Sequence, residues 1–216
     1  MERTSGGAAG VTGNMRRMKI RALGIEGTFE ITPVQRGDVR GTFLEWYRFD
    51  HLAEEIGHPL RLAQANISVS AAGVVRGLHF ADVPPGQAKY VTCTRGALLD
   101  VIVDIRVGSP TFGRWEALRL DDVDRRSVYI SEGLGHGFCA LTDDATLTYL
   151  CSETYNPNGE HGIHPLDPEI GIEWPVASPI LAKRDAAAPT LAEARAREML
   201  PDYGVCLDFT QSLRTG

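Results

Sequence analysis

Arg76, His79 and Lys89 lie close together in "GVVRGLHF" (73–80) and "PPGQAKYV" (84–91), inside text that otherwise reads as packed β-strand. An imidazole, an ammonium and a guanidinium so placed can take a proton from carbon, stabilise the oxyanion that forms and hold an anionic substrate. Strict alternation puts Arg76 and His79 on opposite faces of a strand, so their cooperation requires a bulge or kink at Gly77. Tyr149 in "LTYLC" adds a phenol. If it shares a cavity with His79, the two supply a base and an acid of different pKa, which suits moving a proton from one face of a carbon to the other. Each side chain alone has a plainer reading: a solvated edge lysine, a satisfied strand histidine, a core tyrosine.

His136 sits between glycines in "EGLGHGF", where backbone can approach a ligand closely. A β-barrel metal site of the His-x-His type is not expected, because "LHF" carries a single histidine followed by Phe80 and Ala81, leaving His79 and His136 as at most two ligands. His161 and His164 in "GEHGIHP" read as surface loop residues. Cys93, Cys139, Cys151 and Cys206 form no C-x-x-C pair and read as buried reduced thiols.

The elements that must position these groups are short strands: "GTFEITPVQ", "GTFLEWYRF", "LAQANISVS", "GVVRGLHF", "AKYVTCT", "ALLDVIVDI", "RWEALRL", "SVYI", "HGFCAL" and "TLTYLC". Their spacing, with turn signals such as "VPPG" and "VGSPTFG", predicts an all-β sandwich or barrel. If Arg95-Gly96 is a two-residue hairpin turn, Val91 pairs with Asp100 and Lys89 with Ile102. Lys89 and Asp100 then form a diagonal ion pair on a cavity-lining face, and Asp100 keeps Lys89 protonated against the effect of burial. The opposite face carries Tyr90, Thr92, Leu99, Val101 and Val103 as a core stripe. Two peripheral helices are expected. One spans Phe49 to Gly57 with Asp50 as N-cap, and the other spans Thr190 to Leu200 with Thr190 and Glu193 as a capping box.

A chain of 216 residues suits one sizeable core. The Gly-, Ser- and Ala-rich residues 1–17 read as a disordered leader, and 18–216 as a single domain with a C-terminal helical tail. A net charge of −6 without a basic run excludes the stripe that binds nucleic acid, although a few converging cations can still hold a small anion. No apolar run approaches a membrane span and no hydrophobic leader opens the chain, so a cytoplasmic protein without membrane contact is expected.

In order along the chain, "DVRGTFLEWYRF", "QANISVS", "GVVRGLHF", "PPGQAKYV", "RGALLDVIVDIRVGSPTFGRW", "EGLGHGF", "YLCSETYNP" and "LDPEIGIEWP" resemble the dTDP-4-dehydrorhamnose 3,5-epimerases, especially those of actinobacteria. The resemblance implies a cupin-type antiparallel jelly-roll barrel, a homodimer, and no metal or organic cofactor. It implies a dTDP-4-keto-6-deoxyhexose substrate, inverted at C3 and C5. Relatives that invert only C3 or only C5 share the scaffold, and two alternatives stand beside them: a metal-dependent cupin enzyme and a non-catalytic nucleotide-sugar binding module. On the family's pattern His79 is the general base, Lys89 the enolate stabiliser and Tyr149 the acid. Asp185 in "LAKRD" is the partner of His79, and Arg184 replaces the family's usual lysine. Arg40, Glu45, Gln64, Asn66, Arg76, His136 and Glu160 resemble the nucleotide and pyrophosphate contacts, and Tyr155 the residue that stacks on thymine or gates the second inversion. An N-terminal segment crosses to the partner in this family, so Arg40 or Glu45 is expected to complete the neighbour's site.

Overall fold

The computed structural model describes residues 17–215, so the leader expected over 1–17 lies, Arg17 apart, outside them. Strands β1 (Lys19–Ala22) and β2 (Thr28–Thr32) open the fold, followed by a small hairpin of β3 (Arg36–Asp38) and β4 (Gly41–Phe43) and helix α1 (Phe49–Ile56). Eight strands follow: β5 (Gln64–Ser70), β6 (Val75–Ala81), β7 (Lys89–Arg95), β8 (Ala97–Val103), β9 (Trp115–Asp121), β10 (Ser127–Ile130), β11 (Gly135–Ala140) and β12 (Ala145–Cys151). A short β13 (Glu160–Gly162) and helices α2 (Lys183–Ala186), α3 (Leu191–Ala196) and α4 (Tyr203–Thr215) complete it.

One sheet runs β1-β2-β10-β7-β12-β5 and the other β13-β6-β11-β8-β9, with β3-β4 apart. Within them, β5-β12-β7-β10 faces β6-β11-β8-β9, which is the strand order of a jelly roll built from two Greek keys. The two sheets remain separate ladders, a sandwich rather than a closed barrel.

This topology overturns the expected β7-β8 hairpin. β7 pairs with β10 and β12, while β8 pairs with β9 and β11. Arg95-Gly96 is the corner between sheets. There Gly96, at φ +73°, donates its N–H to the Asp122 carboxylate, and Ala97 donates to the Thr142 hydroxyl. The expected apolar stripe therefore divides. Tyr90 lies under α1 with Leu52 and Ile56, on the outer face of the six-stranded sheet. Val101 and Val103 lie on the outer face of the other sheet, beneath Ile163, Ile170, Leu191 and Ala194. Val91, Cys93, Leu98, Ile102, Leu118 and Leu147 fill the space between the sheets. Burial on both faces explains why "ALLDVIV" reads as almost continuous hydrophobic text instead of alternating.

Other differences are local. "GTFLEWYRF" is strand only over its first three residues, and β2 is an inner strand, flanked by β1 and β10. α1 starts one residue before Asp50, which pairs with Arg48 at 2.6 Å and caps nothing, and it ends at Gly57 in the left-handed conformation. α3 carries both halves of the Thr190/Glu193 capping box but stops at Ala196. α4, the longest helix described, follows it and is anchored where Val107 donates to Pro201 O and Arg106 lies over the Tyr203 ring at 5.2 Å. All four cysteines are free and buried. None of the described helices is long and apolar enough to cross a membrane.

Candidate active site

The strand carrying Arg76 and His79 is distorted where the sequence demands it. β6 and β11 are in register at His136↔His79 and again at Phe138↔Arg76, so Gly77 and Leu78 together oppose Gly137 alone. That extra residue is a β-bulge, and it resets the alternation: Arg76 and His79 both face the cavity, while Leu78 and Phe80 pack outward. Gly77 has φ +118°, and a Cβ there would stand 2.6 Å from Gly137 Cα and 2.7 Å from His136 O. Only glycine meets both the dihedral and the space.

A cavity of about 420 Å³ opens between the sheets, lined by Gln64, Asn66, Arg76, His79, Lys89, His136, Tyr149, Tyr155 and Glu160 among others. Nine of the predicted site residues are thus brought together. Gln87, Ser68, Phe138 and Leu147 also line it, and the sequence reading missed all four. Each lies two residues from a residue already singled out: Gln87 before Lys89, Ser68 after Asn66, Phe138 after His136 and Leu147 before Tyr149. Period-two alternation would have found them. A neighbouring hollow of about 480 Å³ shares Gln87, Tyr155 and Glu160.

The polar groups are held in place. His79 Nε2 lies 2.8 Å from Asp185 Oδ1, and Asp185, on α2, is buried. Burial pushes the Asp185 carboxyl up, but the hydrogen bond and charge of His79 outweigh it and hold the group below the usual carboxylate range. An ionised carboxylate only accepts, so Nε2 carries the proton and Nδ1 keeps the lone pair a base needs. His136 Nε2 lies 2.7 Å from Asp100 Oδ1 on β8. Asp100 therefore pairs with His136 and makes no ion pair with Lys89, although its charge still reaches that lysine across the sandwich. Burial lowers the pKa of Lys89, against the raising effect of Cys151, Glu160 and Asp100. The Tyr149 phenol is raised by burial, reinforced by Cys151 and Glu160. Arg76 donates to Ser70 Oγ at 3.1 Å from the cavity rim, and Gln64 accepts from the Tyr155 N–H at 2.9 Å.

Three predicted residues stand elsewhere. Arg40 is exposed at the β3-β4 turn and pairs with Asp38. Glu45 pairs with Arg48 at 3.2 Å beside a separate hollow of about 340 Å³. Arg184 is exposed on α2, contributing its charge to Asp185 and not to the cavity lining. His161, expected on a surface loop, is half-buried in β13, where Nε2 lies 2.8 Å from Asp82 Oδ1 and the ring packs on Phe80. Among the described residues no three His, Cys, Asp or Glu side chains converge as a metal site requires.

Comparison with known proteins bears on what such a cavity serves. A relative from Streptomyces niveus, a dTDP-4-dehydrorhamnose 3-epimerase, is 66% identical over 89% of this chain and 93% of its own. The dTDP-4-dehydrorhamnose 3,5-epimerase of Mycolicibacterium smegmatis is 59% identical over 91% of this chain and 98% of its own. The crystal structure of NovW, a 4-keto-6-deoxy sugar epimerase from the novobiocin cluster of Streptomyces spheroides, superposes with a TM-score of 0.87 at 64% identity, over 92% of this chain and all of that one. The family model for dTDP-4-dehydrorhamnose 3,5-epimerase matches residues 22–193, from the last residue of β1 into α3, and so takes in every later strand and the whole cavity lining. An isomerase by these relationships, the chain belongs to the dTDP-4-dehydrorhamnose 3,5-epimerase family.

Proposed function

We propose that this enzyme inverts C3 and C5 of dTDP-4-keto-6-deoxy-D-glucose without a cofactor, using His79 as base, Lys89 as enolate stabiliser and Tyr149 as acid. The observation that carries this reading is the opposition of an imidazole fixed by Asp185 on one sheet to a half-buried phenol on the other, in a cavity that also holds Lys89. A carbon next to the C4 ketone gives its proton to His79 Nδ1 as the electron pair moves to the ketone oxygen. The ammonium of Lys89 stabilises that oxygen. Tyr149, kept protonated by its raised pKa, returns a proton from the opposite face, and the ketone re-forms with the configuration inverted. Arg76 and His136 suit the diphosphate, and the exposed ring of Tyr155 at the mouth suits the thymine.

In D2O with dTDP-4-keto-6-deoxyglucose, NMR is expected to show exchange of the protons on both C3 and C5. A second reading, inversion at C3 alone, is favoured by the 66% identity to a relative named a 3-epimerase. Exchange confined to C3 selects it, and exchange at neither carbon removes both readings.

A homodimer completes the proposal. The β3-β4 hairpin forms a sheet of its own, Val39 and Phe43 are exposed on it, and Arg40 and Glu45 lie away from the cavity they would serve. In a dimer this arm reaches the partner's cavity, as the resemblance implies. Arg40→Ala and His79→Ala proteins, each inactive alone, are then expected to recover about a quarter of wild-type turnover as randomly mixed dimers, since about half the dimers are mixed and each holds one intact site. No recovery would assign Arg40 to its own protomer.

A further inference from the structure

The cavity holds two histidine-aspartate pairs, and the reaction derived above uses one. His79 and His136 are direct partners across β6 and β11, and each ring is held through Nε2 by a carboxylate from a neighbouring element, Asp185 and Asp100 respectively. The two aspartates differ in setting. Asp185 spends its second oxygen on the Gly77 N–H at 3.4 Å, whereas Asp100 is 0% exposed and its Oδ2 is buried with no hydrogen-bond partner. An unpaired buried carboxylate oxygen is costly, and an apolar residue on β8 would pack between the sheets without that cost.

We propose that Asp100 is a positioning residue of the epimerisation: one oxygen fixes the His136 ring over the cavity, and the other gives the Lys89 ammonium its standing counter-charge. The proposal rests on the epimerase reading for its catalytic consequence.

Lys89 needs such a group. It stands on β7 opposite Cys151 of β12, within the fields of Glu160 and Asp100, and shares the cavity with Arg76 and His79 of β6, His136 of β11 and Tyr149 of β12. Burial favours the neutral amine, which cannot stabilise an enolate as an ammonium does. Of the groups that oppose it, the Cys151 thiol is pushed up by burial and stays uncharged at neutral pH. Glu160 is only partly buried in the cavity lining, where solvent weakens its field. Asp100 is the one of the three carrying a carboxylate that solvent does not reach.

The sequence supplies a direct readout, because it contains three lysines, Lys19, Lys89 and Lys183. Protein labelled with 13C at lysine Cε gives three titratable NMR signals, and the Lys89 signal is the one absent from Lys89→Arg. Asp100→Asn keeps the shape of the side chain and removes its charge. It is expected to move the Lys89 midpoint down by about half a pH unit or more. The alkaline limb of C3 proton exchange in D2O should move by the same amount, with KM changed less than about threefold. An unmoved Lys89 midpoint overturns the proposal, as does slower exchange with an unmoved alkaline limb, which is the signature of a merely structural aspartate. Should Asp100→Asn fail to fold, His136→Asn leaves the Asp100 carboxylate to Lys89 alone. The Lys89 midpoint is then expected to stay level or rise, and a fall overturns the proposal. Failure of the epimerase reading shows separately, as absent exchange in the wild-type protein, without affecting the lysine titration.

Discussion

His79→Ala is expected to slow exchange of the C3 proton by about a hundred- to ten-thousand-fold, the usual contribution of a positioned base, or about 3 to 5 kcal/mol of barrier. Affinity for dTDP and the melting temperature should change little. The His79 side chain is 34% exposed at the cavity wall, so its removal leaves no sealed void, and the strand around it is fixed by the Gly77 bulge rather than by the imidazole. Asp185→Asn should reproduce part of the loss with the fold intact. Asparagine can present its amide N–H to Nε2, which selects the tautomer with the proton on Nδ1 and removes the lone pair facing the substrate. Single-turnover exchange followed by NMR checks both variants. Wild-type exchange in His79→Ala would exclude His79 as the base.

Gly77→Ala should damage both fold and activity. The added methyl meets backbone on two sides, at distances that no rotamer change relieves, and φ +118° is strained for any L-residue. Together strain and overpacking cost about 3 kcal/mol or more. For a chain of this size that is a fall in Tm of about 6–12 °C. Relief of the clash requires β6 and β11 to separate at the pair that carries His79 and His136, and a displacement of about 1 Å at reacting groups costs about a hundredfold in rate. Thermal unfolding and exchange measured on the same protein test this. A Tm within about 2 °C of wild type with unchanged turnover would show that the bulge tolerates a side chain after all.

Local signals in the sequence carried the strands and most of the cavity, and what they could not carry was partner choice. "KYVTCTRGALLDVIVDI" has the pattern of a hairpin, and nothing within it reveals that the Gly96 N–H is claimed by Asp122 and the Ala97 N–H by Thr142. The expected ion pair of Lys89 and Asp100 emerged from that mistaken pairing; the two stand on different sheets, and only the charge of Asp100 bears on the lysine. The conflict between Arg76 and His79 was more informative, because parity is a rigid rule and its violation localised the bulge to Gly77. β13 escaped notice because three residues give no periodicity; it exists by pairing with β6. The separation of Arg40 and Glu45 from the cavity is invisible locally, since it depends on where a short hairpin projects after folding.

The proposed acid and base stand on ladders that share no hydrogen bonds: Tyr149 on β12 of the six-stranded sheet, His79 on β6 of the five-stranded one. Backbone pairing fixes positions within each sheet tightly but leaves the gap across which a carbon is inverted to the thickness of the side-chain layer between them, about 10 Å in sandwiches of this kind. Leu118, Ile102 and Leu147 therefore act as spacers for the chemistry. A change of one methylene in that layer alters the reach of phenol and imidazole without touching either, and gives this scaffold a route to choose how many carbons it inverts while every polar residue stays the same.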